Sequence, residues 1–243
     1  MRIIVFIYGL VSYALGVASL LYLICFLSDI VVPKTIDSTP VGAMAPAVLV
    51  DLILVGLFAL QHSLMARPGF KQRWTRIVPK PAERSTYVLM TGLVLALLFW
   101  QWQPIPGVVW NVENAVGKGL LQGLFWLGWV IVFASTFMIN HFDLFGLRQV
   151  YLRLKAEPYR PVPFVEVALY RFVRHPIMLG VLIGYWATPC MSVGHLLFAA
   201  ASTIYVFIGI FLEEHDTHQA LGETYERYRR ETPMIVPLPR RKS

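Results

Sequence analysis

Charge is scarce in this sequence. Only 14% of its 243 residues are Asp, Glu, Lys or Arg, where a soluble domain carries about 25%. The shortfall excludes an ordinary water-soluble fold, and a hydrophobic share of 57% points to an integral membrane protein. Cysteine is nearly absent. Cys25 and Cys190 both lie in apolar surroundings, which excludes a disulfide framework and a cysteine-based metal site. No internal repeat, low-complexity tract or long linker divides the chain, so one domain over 1–243 is expected. Acids are fewer than bases, 14 against 21. A net charge of +7 can mark a nucleic-acid binder, but its distribution speaks for a different partner, the lipid bilayer.

Apolar segments run over 4–28, 44–66, 86–104 and 119–140, followed by a pair at 177–190 and 194–213. About 20 apolar residues cross a bilayer core. The first four therefore read as spans, the first of them retained rather than cleaved as a leader. The last two read as a tight helical hairpin over 176–214 that spans or re-enters. The expected fold is all-α, a polytopic bundle of five to six membrane segments with a C-terminal hairpin and a cytosolic C-terminal helix. It comprises N-terminal spans (1–143) and a C-terminal module (144–243). Gly16, Gly56, Gly92 and Gly128 are expected to let spans approach closely.

The bases gather in three stretches. Arg67, Lys71, Arg73, Arg76, Lys80 and Arg84 lie in 67–84; Arg148, Arg153, Lys155, Arg160, Arg171 and Arg174 in 140–176; Arg227, Arg229, Arg230, Arg240, Arg241 and Lys242 in the tail. The other connections hold only Lys34 and Lys118. The positive-inside rule puts the three basic stretches, and both termini, in the cytosol.

Ionisable side chains cluster at that predicted face, where such residues tend to mark function. His62, His141, His175, His215 and His218 lie at cytosolic ends of spans, and only His195 lies by the outer turn. Arg174-His175-Pro176 opens the hairpin, with proline at a first helical position. A helix start attracts a carboxylate or phosphate, and Arg174 adds a bidentate donor. Glu213-Glu214 closes the hairpin and needs partners, for which Arg174 and His175 are the natural candidates. Tyr225 and Tyr228 follow on an amphipathic helix as a wall or lid. The fourth span exits through Asn140, His141, Asp143 and Arg148, and the second through Gln61-His62-Ser63. Once the bundle closes, His62, His141 and Asp143 are expected to face Arg174 and Glu214. Asp51 is expected in a buried interhelical hydrogen bond. A short interfacial helix is expected at 147–156, then an extended piece broken by Pro158, Pro161 and Pro163. His215 and His218 are three apart beside Glu214, but no second ligand pair repeats the spacing, so no metal is expected.

Arg174-His175-Pro176, Gly180, Glu213-Glu214, Tyr225, Tyr228 and the closing Val236-Pro237 resemble the C-terminal module of the isoprenylcysteine carboxyl methyltransferase and phospholipid methyltransferase superfamily. Those are integral membrane enzymes that use S-adenosylmethionine. Met178 departs from that pattern, which usually has tyrosine there. His62-Ser63-Leu64-Met65-Ala66, the run Asn140 to Gln149, Ala156-Glu157-Pro158-Tyr159-Arg160, Arg174 to Gly180 and Trp186-Ala187-Thr188-Pro189 are similar to the bacterial methanethiol S-methyltransferases, themselves similar to NnrU-type membrane proteins. His215 departs from an expected arginine.

The resemblance implies a bacterial inner-membrane enzyme that methylates a small volatile thiol, methanethiol, giving dimethyl sulfide. It implies S-adenosylmethionine held by Arg174, His175, Pro176, Leu179, Gly180, Glu213, Glu214, Tyr225 and Tyr228. A thiol reacts as thiolate, so a base is needed. His141 oriented by Asp143 is the first candidate and His62 the second. Phe142, Phe145, Met178 and Trp186 are expected to wall the thiol. A larger lipid or prenyl-thiol acceptor would require a lateral opening. A non-enzymatic NnrU-like role would require no cofactor, and a haem or quinone role would require paired histidines.

Overall fold

The computed structural model describes residues 1–40 and 42–237. Arg240, Arg241 and Lys242, counted above for topology, lie outside the described residues. In order, the elements are α1 (Arg2–Ser28), α2 (Met44–Ala66), α3 (Pro68–Trp74), α4 (Lys80–Gln101), β1 (Val108–Asn111), α5 (Ala115–Met138), α6 (His141–Leu144), α7 (Leu147–Lys155), a 3-10 turn (Ala168–Arg171), α8 (Pro176–Trp186), β2 (Cys190–Ser192), α9 (Val193–Leu221) and α10 (Glu223–Glu231). Five helices, α1, α2, α4, α5 and α9, are long and apolar enough to cross a membrane. The chain is a polytopic helical membrane protein. Helix α8 has 11 residues. At 1.5 Å per residue it rises about 16 Å, half of a ~30 Å hydrocarbon core.

Two compact units divide the chain. The first comprises Met1–Val109, Asn140–Pro163 and Ser192–Phe198. The second comprises Trp110–Ile139, Phe164–Met191 and the chain from Ala199 onward.

In the first unit α1 packs on α4 and α7, and α2 on α4. Small residues permit the approach, since a Cβ on Gly16 would strike the Val88 side chain and one on Gly92 would lie 3.1 Å from Ser19 Oγ. Gly56 corrects the expectation: nothing lies within 4 Å of its would-be Cβ, because that face of α2 is exposed. The core includes Phe26, Leu98, Phe99, Ile36 and Trp102, with the Trp102 indole donating to Ile36 O at 3.1 Å. Asp51 is buried in α2 and accepts from the backbone N–H of Gln103 at 2.9 Å. Gly146 turns the chain from α6 into α7 with φ +84, and Ser85 of α4 donates to its carbonyl at 3.2 Å. That contact seats α6, and with it His141, against α4.

In the second unit α5 and α8 pack closely. A Cβ on Gly180 would sit 2.5 Å from Gly128 O and 2.9 Å from Val132 Cγ2. Gly180, expected to touch a cofactor, is a helix-contact residue here, because the carbonyl of Gly128 fills the space its side chain would need. Gly180→Val should therefore force α5 and α8 apart and cost about 1–3 kcal/mol or more. Thermal unfolding in detergent checks this, and an unchanged midpoint would contradict it.

Three features of this unit carry Arg174 and His175 to their places. Pro176 begins α8 at its first turn. The N–H groups of Arg174 and His175 donate to Pro233 O (2.9 Å) and Met234 O (3.1 Å). Ile235 packs with Val206 and Ile210, against which Met178, Leu179, Val181 and Leu182 lie.

Candidate active site

The second unit holds a buried ion cluster. Arg174, His175 and Glu214 are 9%, 7% and 8% exposed. Arg174 Nε donates to Glu214 Oε1 at 2.7 Å, and His175 Nε2 lies 3.0 Å from the same oxygen. One terminal nitrogen of Arg174 donates to the carbonyls of Arg229 (3.1 Å) and Thr232. The expected contact of Arg174 and His175 with Glu214 is present. Through these bonds the guanidinium holds Glu214 in place.

Glu213 behaves differently from its neighbour. Helix α9 continues to Leu221, beyond the expected end at Glu214. Adjacent helical positions point about 100° apart, and Glu213 is exposed while Glu214 is buried. Tyr225 and Tyr228 face inward from α10 while Arg227, Arg229 and Arg230 are exposed. The Tyr228 hydroxyl donates to Tyr170 O at 2.6 Å. Burial first, then repulsion by Glu214, pushes the Tyr225 phenol up to about 12, so it is an un-ionised donor at neutral pH. Phe164 closes on both rings, with centroids at 6.3 and 5.3 Å. Trp186 lies at the far end of α8, about 15 Å along the axis from Pro176, and its indole donates to Thr203 at 2.9 Å. It stands apart from the ion cluster, while Met178 and Leu179 are near its end of the helix.

The first unit holds two histidine–tyrosine pairs. His141 follows Asn140, whose φ of 81 and side-chain bond to Asp143 N start the one-turn helix α6. His141 is buried, with Nε2 3.0 Å from the Tyr13 hydroxyl and Phe145 at 4.7 Å between ring centroids. Burial lowers its pKa below the ordinary histidine value. His62 Nε2 lies 2.7 Å from the Tyr87 hydroxyl, Nδ1 lies 3.2 Å from Thr91 Oγ1, and Phe58 stacks on the ring. Phe145 packs on the cluster of Met65, Tyr87 and Val88, so one aromatic group connects both pairs. Phe142 is half exposed and lies edge-on to His141 at 5.4 Å.

Asp143 does not orient His141, contrary to expectation. Its carboxylate takes Arg148 at 2.8 Å and the Tyr159 hydroxyl at 3.2 Å. Positions i and i+2 of a helix do not face each other, so the two side chains diverge. Tyr13, Tyr87 and Thr91 were missed in the sequence. The available signal was a hydroxyl inside an apolar span, which needs a partner.

Among the described residues no three His, Cys, Asp or Glu side chains group to hold a metal ion. His215 meets Gln219, and His218 lies 3.6 Å from Glu226. Unused polar capacity does remain near Arg174. Thr232 Oγ1 is buried without a hydrogen-bond partner, and the Glu213 carboxylate is exposed one position from Glu214. These groups fit a polar ligand that carries amino and hydroxyl groups.

These elements make a multi-pass membrane bundle with a buried ion cluster and buried histidine–tyrosine pairs. The family model "NnrU protein" matches residues 50–231. The chain belongs to the NnrU family and to that of the methanethiol S-methyltransferases. It is 51% identical over 240 residues to "Methanethiol S-methyltransferase" of Mycobacterium tuberculosis, covering 99% of this chain and 98% of that one. It is 49% identical to the protein of that name from Crocosphaera subtropica, with 100% and 95% covered. Identity is 53% to the one from a Pseudomonas species, with 95% and 88% covered. No solved structure matches the chain.

Proposed function

We propose that this protein transfers a methyl group from S-adenosylmethionine to methanethiol, giving dimethyl sulfide. The observation that carries the reading is the near end-to-end likeness, at about half identity, to proteins bearing that activity's name. S-adenosylmethionine supplies an electrophilic methyl group on a sulfonium. Glu213, Glu214 and Tyr225 would hold its polar groups, with Thr232 as a further donor and acceptor. Arg174 and His175 would hold Glu214 for that task, and Pro176, Leu179 and Tyr228 would support them.

His141 would take the thiol proton, because a thiolate and not a thiol is the competent nucleophile. His62, whose ring nitrogens meet Tyr87 and Thr91, is the second candidate. Phe142 and Phe145 border His141, and apolar walls of this kind suit a small thiol, with Met178 lining the donor end. The sulfur–methyl bond forms as the sulfonium bond breaks, in line, so orientation contributes much of the rate. We read the chain as one methyltransferase domain in a bacterial cytoplasmic membrane, with N-terminal spans (1–143), a donor-binding module (144–243) and both termini in the cytosol. The basic stretches support that orientation.

The test is headspace dimethyl sulfide from purified protein given methanethiol, with and without S-adenosylmethionine. Donor-dependent product is expected. Bound donor without product would move the acceptor to a larger thiol or lipid. Neither binding nor product would overturn the enzymatic reading.

A further inference from the structure

We infer that Tyr13 is a positioning residue for His141, holding the imidazole through its hydroxyl and accepting from the imidazolium that forms. The inference rests on His141 being the base in the reaction above. Tyr13 reaches across from α1, placing Oη 3.0 Å from Nε2 with the two rings nearly perpendicular at 86°. The same ring lies edge-on to Phe145, at 6.0 Å and 84°, so packing fixes the hydroxyl's direction.

The need for such a partner follows from the surroundings. His141 is buried against Phe142 and Phe145, where a new positive charge is poorly solvated. The ionisable groups facing it from neighbouring elements are already engaged. On its own helix, Asp143 is held by Arg148 of α7 and by Tyr159. From α4, Arg84 donates Nε to Leu144 O at 2.7 Å and lies over the Tyr87 ring. In the imidazolium both nitrogens carry hydrogen. Nε2–H then donates to Tyr13 Oη. The thiol proton ends on His141, and Tyr13 gives up no atom. Tyr13 therefore keeps His141 a stronger base than its apolar setting alone would allow.

The experiment compares wild type, Tyr13→Phe and Tyr8→Phe. Tyr8 is a control on the same helix, since its hydroxyl bonds to α4, at Thr86 Oγ1 (2.9 Å), and not to His141. Two readouts are taken: the pH profile of kcat with methanethiol, and the titration of His141 by NMR of histidine-labelled protein in detergent, assigned with His141→Gln. Tyr13→Phe should lower kcat about tenfold with KM within about twofold. It should move the His141 titration and the acid limb down by about half a pH unit. Tyr8→Phe should move neither. A His141 titration that is the same in Tyr13→Phe as in wild type, or that shifts equally in Tyr8→Phe, overturns the inference. A wild type without product counts against the methylation reading instead, and the titration still decides for Tyr13.

Discussion

The His141→Ala protein is expected to bind S-adenosylmethionine as the wild type does and to turn over about 10²–10⁴-fold more slowly. The residual rate comes from orientation and from the small thiolate fraction already present at neutral pH. His62→Ala should cost far less, since that ring serves Tyr87 and Thr91. The pH profile gives a second signature. Burial lowers the His141 pKa, so the neutral, proton-accepting form persists to lower pH. The acid limb of kcat/KM should therefore fall below about 6.5, the ordinary histidine value, and vanish in His141→Ala. A limb above that value, or near-normal turnover in the variant, would remove His141 from the mechanism.

The second large effect is expected at Glu214. Removing its carboxylate leaves the Arg174 guanidinium buried without its anion, and breaking such a pair costs about 3–5 kcal/mol. Glu214→Ala should unfold well below the wild type and fail to bind the donor. The double variant Arg174→Met/Glu214→Leu separates the two losses. Replacing both charges by apolar groups is often neutral or stabilising, so its unfolding midpoint should recover while donor binding stays lost. Recovery of binding in the double variant, or normal binding in Glu214→Ala, would show that the cluster is structural alone.

Much of this architecture is legible in the sequence, for identifiable reasons. Spans are written in hydropathy, and the five long helices lie where apolar runs predict them. Helix α7 falls at Leu147–Lys155 against an expected 147–156, because glycine before it and Glu157-Pro158 after it punctuate the chain. Helix α9 runs past its expected end, because charge alone does not stop a helix. Glu, His, Asp, Thr and Gln continue a helix readily, and the break comes only at Gly222, with φ +55. Pairings between distant segments were partly legible. Arg174 with Glu214 followed from a hairpin bringing opposite charges to one end. Tyr13 with His141 did not, since nothing local specifies which of several hydroxyls on α1 meets a ring 128 residues away. Asp143 turns to Arg148 and Tyr159, because nearness in sequence is not facing in space.

The backbone ties between Arg174-His175 and Pro233-Met234 also set an order of events during synthesis. Arg174 leaves the ribosome about sixty residues before its carbonyl and backbone partners. At roughly 5–20 residues per second, that is several seconds in which a cation destined for burial has only part of its complement. During that interval the segment is best kept in water or among lipid headgroups. The second unit can thus complete the bonds around Arg174 and His175 only once residue 234 has been added.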